Sequence, residues 1–432
     1  MSRDSRTVTE SSALPDLASA IAAGDARRAS VRDALGPRRA LLPLRYWRQQ
    51  AHLTTPAADA AMAGKAVESG TAPTARILER LGLTASDLAE ALGVDPGRIE
   101  DRLAQPVRAP LVMLDGEDAI APGDAMAARG LEVAAGVFAE ADWSGGGPRS
   151  LRFFRPPGFN LETTVRDLYT LLWRLAERSP AGANPLDGIV FPKVEHPEEA
   201  LLVNELLDAA EAALRLPAGG IRVAYLVESG FAASKLAGIA EAAAPRLASL
   251  IFGLADFSAD LGLPAIGNDH LLADWARAEI VAVAGAVGVP AIDGMTLDYP
   301  VSDPGLDLAA NRTRWLDRMK LAYDDAVRAR DLGMLGKWVG HPAQLFAVLL
   351  AYDEAFAPEA LEAEAAKLEA YERALSANVG ATMIGGVMSD RATDRHARVL
   401  LRQATALGRF DPGRARALGI ISETEAAEVT DA

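Results

Sequence analysis

The 432-residue chain contains no cysteine and only five histidines, His52, His196, His270, His341 and His396. The first absence removes disulfides, thiolate zinc sites, thiol nucleophiles and iron–sulfur clusters. The second speaks against a histidine-rich metal centre, since no two of the five stand four residues apart. Positive charge is also short. Lys and Arg number 44 against 59 Asp and Glu, for a net charge of −15 and a pI near 4.9. A basic footprint for nucleic acid or an anionic membrane surface is therefore missing. Long hydrophobic runs are missing too. The longest, residues 280–292, is too short to span a bilayer and contains Gly285, Gly288 and Pro290. The first thirty residues carry Arg3, Asp4, Arg6 and Glu10 without an apolar core, so no signal peptide is expected. The expectation is a soluble, acidic, cytoplasmic protein with neither nucleic acid nor membrane as partner. Its polar chemistry falls to Asp, Glu, Arg, Lys and a few hydroxyls.

What is present is alternation. Short apolar runs recur at residues 40–44, 111–114, 151–154, 189–192, 223–227, 250–253, 290–292 and 336–340. Helix-length segments separate most of them, for example 198–215, 232–244 and 271–287. Strand–helix alternation points to a parallel sheet, and eight repeats point to closure into a (β/α)8 TIM barrel. An open doubly wound sheet is the competing arrangement. The domain layout expected is an N-terminal extension (1–35), a barrel (36–45 and 110–356), a helical insertion after the first strand (46–109), a C-terminal helical lid region (357–420) and a disordered acidic tail (421–432).

Within the insertion, residues 83–103 have a helix–turn–helix look, with Thr84 as N-cap and Gly93 at the turn. Asp87, Glu90, Asp95, Glu100 and Asp101 outnumber Arg98 and Arg102, which is the wrong sign for a helix facing phosphates. A packed helical hairpin, used as a lid or in oligomer contacts, is the expectation.

In a barrel of this kind chemistry gathers where strands end. Asp115, Glu117 and Asp118 follow the second strand; Arg152 lies in the third, with Arg155 just beyond; Lys193 and Glu195 follow the fourth. Glu228 follows the fifth, Asp256 the sixth and Asp293 the seventh, while Lys337 and His341 accompany the eighth. Glu228 and Asp256 are one strand-to-strand repeat apart. Two carboxylates side by side, with positions left for water and substrate, are a usual way to hold Mg2+; salt-bridged or capping carboxylates are the plainer alternative. Arg152 reads either as their structural partner or as a clamp for an anionic substrate. Gly336-Lys337 and His341-Pro342 are a weak phosphate signal without a glycine-rich loop. No GxGxxG opens a helix after a strand and no GxSxG elbow is present.

Seven segments in order extend this reading. They are LDGEDAIAP (114–122), LRFF (151–154), FPKVE (191–195), LVESGFAA (226–233), FGLADFSADLG (252–262), GKWVGHPAQL (336–345) and GGVMSDRATDRHARVLL (385–401), preceded by RRALLPLR (38–45). Together they resemble the citrate lyase β-subunit and malyl-CoA lyase group of the HpcH/HpaI aldolase superfamily. Phe154 stands where that group usually has Asn, and Gly340 where it usually has Ile. The resemblance implies a (β/α)8 barrel with a C-terminal lid, assembled as a homotrimer or homohexamer. It implies Mg2+, with Mn2+ as an alternative ion, on Glu228 and Asp256. It implies Arg152 as the group that binds the 2-oxo acid, Glu117 and Asp118 lining the same site, and Asp390 as acid/base, reaching into a neighbouring subunit. The reaction implied is Claisen-type cleavage or formation of a 3-hydroxyacyl-CoA such as malyl-CoA, with a 2-oxo acid and an acyl-CoA as the other side. An Mg2+-dependent 2-oxo-acid aldolase without CoA and a lyase with thioesterase activity are the alternatives; a barrel kept only for binding is a third. A Schiff base on Lys193 is disfavoured by the acids and arginine around it.

Overall fold

The computed structural model describes all residues except 1–16, 36–41, 69, 106, 142, 144–148, 181, 378–381, 385, 386, 431 and 432. The chain divides into two compact units, residues 1–39 and 40–432. Of the first unit, the helix Leu17–Leu35 is described.

The second unit is built on eight parallel strands closed into a barrel: β1 (Ala51–Pro56), β2 (Leu111–Asp115), β3 (Leu151–Arg155), β4 (Gly188–Phe191), β5 (Arg222–Val227), β6 (Leu247–Phe252), β7 (Ala291–Asp293) and β8 (Gly336–Val339). β1 pairs with both β2 and β8, which closes the ring. These strands are almost wholly buried, as expected for a parallel sheet with side-chain layers inside and helices outside. The helix Leu271–Val287 falls where the spacing of its apolar residues puts it, with Ala273, Ala276, Ile280, Val283, Ala284 and Val287 buried.

Seven strands lie on or within two or three residues of the runs that signal them. The first does not. Residues 42 and 43 are irregular, Leu44–Trp47 is a 3-10 turn, and β1 follows only at Ala51–Pro56. Residues 40 and 41 lie outside the described set. The strand escapes notice because its sequence, AHLTTP, mixes polar and apolar residues and ends in proline. The expected insertion at 46–109 therefore contains β1 itself. It also contains the barrel's own first helix, Ala60–Glu68, which packs on β1, β2 and the helix Asp124–Glu140.

What is added is three helices, Ala72–Leu81, Ala85–Leu92 and Pro96–Ala104. Thr84 caps the second: its Oγ1 accepts from the Asp87 amide at 3.1 Å, and its own amide donates to Asp87 Oδ2 at 2.6 Å. Gly93 ends that helix at φ 70°. The hairpin packs on the outer helices Leu308–Asp331 and Pro342–Asp353, with Leu88 and Ile99 fully buried. Arg98 donates to the Leu350 carbonyl at 3.1 Å and Arg102 pairs with Asp353. Two arginines of the hairpin are thus spent on its own scaffold.

The C-terminal helices Pro358–Ser376, Arg391–Ala406 and Pro412–Ala417 share a second apolar cluster with Leu44 and Leu335, which precede β1 and β8. They pack against the N-terminal end of their own barrel. Between the first two lies an antiparallel hairpin of Thr382–Ile384 and Val387–Ser389. The acidic tail, expected to be disordered, instead forms the helix Glu423–Thr430; Ile421 is buried ahead of it and Glu425 pairs with Arg402. No described helix is long and apolar enough to cross a membrane.

One interior group reports on folding. His52 on β1 is fully buried, its Nε2 has no hydrogen-bond partner, and burial pushes its pKa from 6.5 down to about 3. The unfolded chain takes up that proton below pH 6.5, the folded chain only near 3. The stability tied to a neutral His52 is complete above 6.5 and drains as pH falls toward 3. Urea unfolding at pH 7.5 and 4.5 should show a smaller acid penalty for His52→Leu than for the parent chain, by roughly 3 kcal/mol. Equal penalties would contradict the neutral burial.

Candidate active site

The C-terminal ends of β2 to β6 carry a cluster of opposite charges. Asp115 and Arg155 close β2 and β3 in register with each other. Arg155 Nε and Nη2 donate to the two Asp115 carboxylate oxygens at 2.7 and 2.5 Å, a bidentate fork. Its Nη1 lies 3.2 Å from Glu117 Oε2 and 3.4 Å from Asp118 Oδ2, and its Cζ sits 5.4 Å from the Trp338 ring centre. The Trp338 indole N–H in turn donates to Thr54 Oγ1. Asp115 also accepts from the amides of Glu117 at 3.0 Å and Ala119 at 3.2 Å, which folds the loop so that Glu117 and Asp118 meet Arg155. Gly116 is required at this turn: a Cβ there would fall 2.5 Å from the Phe154 ring and 2.9 Å from the Arg155 carbonyl.

Lys193, after β4, reaches the same group. Its Nζ lies 2.5 Å from Glu117 Oε1 and 3.4 Å from Asp118 Oδ1. Its backbone N–H donates to Glu228 Oε1 at 2.6 Å. Glu228, after β5, is 4% exposed, and Asp256 stands exposed in the first turn of Leu254–Asp260, after β6. Burial, then the Asp256 charge, pushes the Glu228 pKa up to about 7. Burial likewise raises Glu117 despite Arg155 and Lys193. Asp118 is less enclosed; there Arg155 and Lys193 outweigh burial and hold the carboxyl below its usual range. The same acids keep both cations firmly protonated against their own burial. Lys193 as a charged, doubly paired ammonium is not an amine free to form an imine.

Arg152 is not part of this cluster. It is the second residue of β3, three before Arg155, and its Nε donates to the buried Asp187 at 3.0 Å and its Nη2 to the Asn184 carbonyl at 2.8 Å. Asp187 precedes β4, so this pair lies at the N-terminal end of the barrel, where ion pairs serve stability. The mouth arginine is Arg155. The signal for it was positional: it is the last residue of its strand and the register partner of an aspartate. Phe154, which raised doubt as a replacement for Asn, is buried beside Gly116 and next in sequence to the inward Arg155, so it faces the opposite side of the sheet.

The β7 and β8 ends are also settled internally. Lys337 is fully buried and donates to Asp293 at 2.6 Å and the Gly294 carbonyl at 2.7 Å, while Arg277 holds the other Asp293 oxygen at 2.7 Å. That closes the phosphate reading of Gly336-Lys337. His341 caps the helix Pro342–Asp353 through Nδ1, and burial with the nearby Arg80 pushes its pKa to about 4, so it is neutral. At Gly340 an added Cβ would fall 2.0 Å from the Tyr299 hydroxyl. Tyr299, from the loop after β7, fills the space that a side chain at 340 would take. Asp390 caps the helix Arg391–Ala406, accepting from the amides of Ala392 at 2.8 Å and Thr393 at 3.2 Å. No described contact joins it to the mouth of its own barrel.

The two arginines give a direct test. Arg152→Ala should lose about 3 kcal/mol in urea unfolding, the scale for breaking a buried pair, and leave oxalate binding in the presence of Mg2+ unchanged. Arg155→Ala should weaken oxalate at least about tenfold by calorimetry. The reverse pattern would return Arg152 to the site.

Comparison with known proteins places the chain in a family. Residues 45–427 match the family described as a domain of unknown function, DUF6986. The chain is 32% identical over 324 residues to the L-malyl-CoA/beta-methylmalyl-CoA lyase of Rhodobacter capsulatus, covering 71% of this chain and 90% of that enzyme. It is 30% identical over 316 residues to the enzyme of the same name from Cereibacter sphaeroides, covering 68% and 87%. Among solved structures, a citrate lyase from Burkholderia xenovorans LB400 superposes with a TM-score of 0.55 at 25% identity, covering 85% of this chain and 95% of that one. The chain belongs to the DUF6986 family, within the malyl-CoA lyase and citrate lyase β-subunit group of (β/α)8 carbon–carbon lyases.

Proposed function

We propose that the protein is an Mg2+-dependent lyase that cleaves, or in reverse forms, a 3-hydroxyacyl-CoA such as malyl-CoA, with a 2-oxo acid and an acyl-CoA as the other side. The observation that carries this reading is the buried carboxylate Glu228 beside Asp256, with the clamped guanidinium of Arg155 two strands away. Asp115, Glu117, Asp118, Glu228 and Asp256 crowd the rim against only Arg155 and Lys193, an excess of negative charge that suits a divalent cation. Among the described residues no third Asp, Glu or His joins Glu228 and Asp256 as a ready-made cage. Hard oxygen donors with open positions fit Mg2+ or Mn2+ rather than zinc. Glu228 and Asp256 would hold the ion. When bound, it supplies Lewis-acid stabilisation of negative charge on substrate oxygens.

The chain's own groups account for the rest. Arg155, held by Asp115 and Trp338, offers Nη1, beside Glu117 and Asp118, to the carboxylate of the 2-oxo acid moiety. The carbon bearing the hydroxyl separates from the carbon α to the thioester. The hydroxyl proton leaves to Glu117, whose buried Oε2 makes no hydrogen bond and whose proton affinity burial has raised. The bonding pair passes to the acyl-CoA as its enolate, and a proton is returned at that carbon. Asp390 supplies that proton from a second copy of the chain in a homotrimer or homohexamer. Its placement away from its own mouth favours delivery to a neighbour. The Tyr299 hydroxyl takes up the space beside Gly340 on the β7–β8 side.

Purified protein with Mg2+, offered malyl-, methylmalyl- and citramalyl-CoA, should release a 2-oxo acid trapped as its phenylhydrazone. Glu228→Ala and Asp256→Ala should each abolish that release with melting temperatures near the parent value; full activity in either excludes the assigned donors. Asp390→Ala should block deuterium exchange into the acyl-CoA product more than it weakens substrate binding. Release of oxo acid only from CoA-free substrates would favour the aldolase alternative.

A further inference from the structure

Among the described residues only two besides glycine have a positive φ, Lys193 at 53° and Arg215 at 57°. Arg215 ends the helix Pro197–Leu214, where a left-handed residue is an ordinary way to stop. Lys193 ends no helix. It stands between β4 and the loop to the next helix, in a conformation that a residue with a Cβ adopts at a cost. Two contacts depend on that conformation. The backbone N–H is turned onto Glu228 Oε1 at 2.6 Å, and the side chain is sent the other way, to Glu117 Oε1 at 2.5 Å. One residue after β4 thereby fixes carboxylates that follow β2 and β5.

The consequence lies in the second oxygen of Glu228. With Oε1 engaged by Lys193, Oε2 faces β6: the Cβ position of Gly253, immediately after β6, is 3.0 Å from it and 2.5 Å from Glu228 Cβ. That is the side on which Asp256 lies, three residues past Gly253. The absence of a side chain at Gly253 leaves this approach open.

We propose that Lys193 is a positioning residue whose left-handed backbone pins Glu228 Oε1, so that Oε2 is presented toward Asp256 to share a divalent cation. The proposal rests on Glu228 and Asp256 being the cation donors, and its test separates the two ideas. Mn2+ binding to the full-length protein is measured by electron paramagnetic resonance, without substrate, for the parent, Glu228→Ala, and Lys193→Gly, →Asn and →Val. All three Lys193 variants lose the ammonium, so differences among them report the backbone. Gly and Asn accept the left-handed conformation; Val, β-branched, does not. The Gly and Asn variants should bind Mn2+ within about threefold of each other, and the Val variant about tenfold more weakly, equivalent to about 1.4 kcal/mol. Circular dichroism checks that each is folded. Should Val fail to fold, Lys193→Ala replaces it and should bind more weakly than both the Gly and the Asn variant. Equal affinities across the folded variants overturn the positioning role. A parent chain that ignores Mn2+, or a Glu228→Ala variant that binds as well as the parent, overturns the donor assignment instead.

Discussion

Like charges crowded on one rim repel, and the site is shaped by how that repulsion is relieved. Two cations do most of the work, each holding more than one acid. Arg155 commits its fork to Asp115 and its remaining nitrogen to Glu117 and Asp118. Lys193 takes Glu117 by its ammonium and Glu228 by its amide. The relief is uneven. Asp118 is left ionised, Glu117 is drawn toward protonation by burial, and Glu228, with Asp256 beside it, is drawn furthest, to about 7. The carboxylate drawn furthest is one of the two that would hold a cation. The rim is a set of charges incomplete without ligand, and that incompleteness separates it from an ordinary salt-bridge network.

The opposite end of the barrel shows the contrast. There Arg152, Arg149 and the Arg152 amide converge on Asp187, and Arg246 is locked to Glu211 at 2.6 Å. Behind β7, Lys337 and Arg277 together hold Asp293 below the usual carboxylate range in spite of complete burial. Each of these acids meets its cations at hydrogen-bond distance, and each holds an element in register. The same residue types appear at both ends of the strands; only the stoichiometry differs. Fully matched ions stabilise, and unmatched ones are available for chemistry.

That difference explains what the primary structure discloses and what it withholds. Seven strands are legible because a buried parallel strand must be a short apolar run, and runs such as VAYLV and SLIF cannot be mistaken for polar loops. β1 is withheld because AHLTTP places His52 and Thr54 inside a barrel that can accommodate them, against the usual pattern. Glu228 and Asp256 are legible because each follows a clear strand by a residue or a few. Arg152 misled because two arginines share the five-residue strand LRFFR and the family resemblance pointed to the first of them, whereas the strand's C-terminal end, which opens on the mouth, is Arg155. The pairing of Arg155 with Asp115, and of Arg152 with Asp187, bears out that position. The left-handed backbone at Lys193 is withheld altogether, since no residue type there announces it; a glycine would have.

The C-terminal region completes the division of labour. Its helices share an apolar cluster with Leu44 and Leu335, so they belong to the lower end of the barrel that precedes them in the chain. Asp390 begins one of these helices, and its carboxylate, holding the amides of Ala392 and Thr393, stays below the usual range because those hydrogen bonds stabilise the anion. In the proposed reaction, a carboxylate fixed in that way is poor at keeping a proton in water and would have to enter a less polar place to hold one. The mouth of a second copy, with its excess of acids, would raise its proton affinity on arrival, so that under this proposal the contact that brings Asp390 to the substrate would also give it its proton.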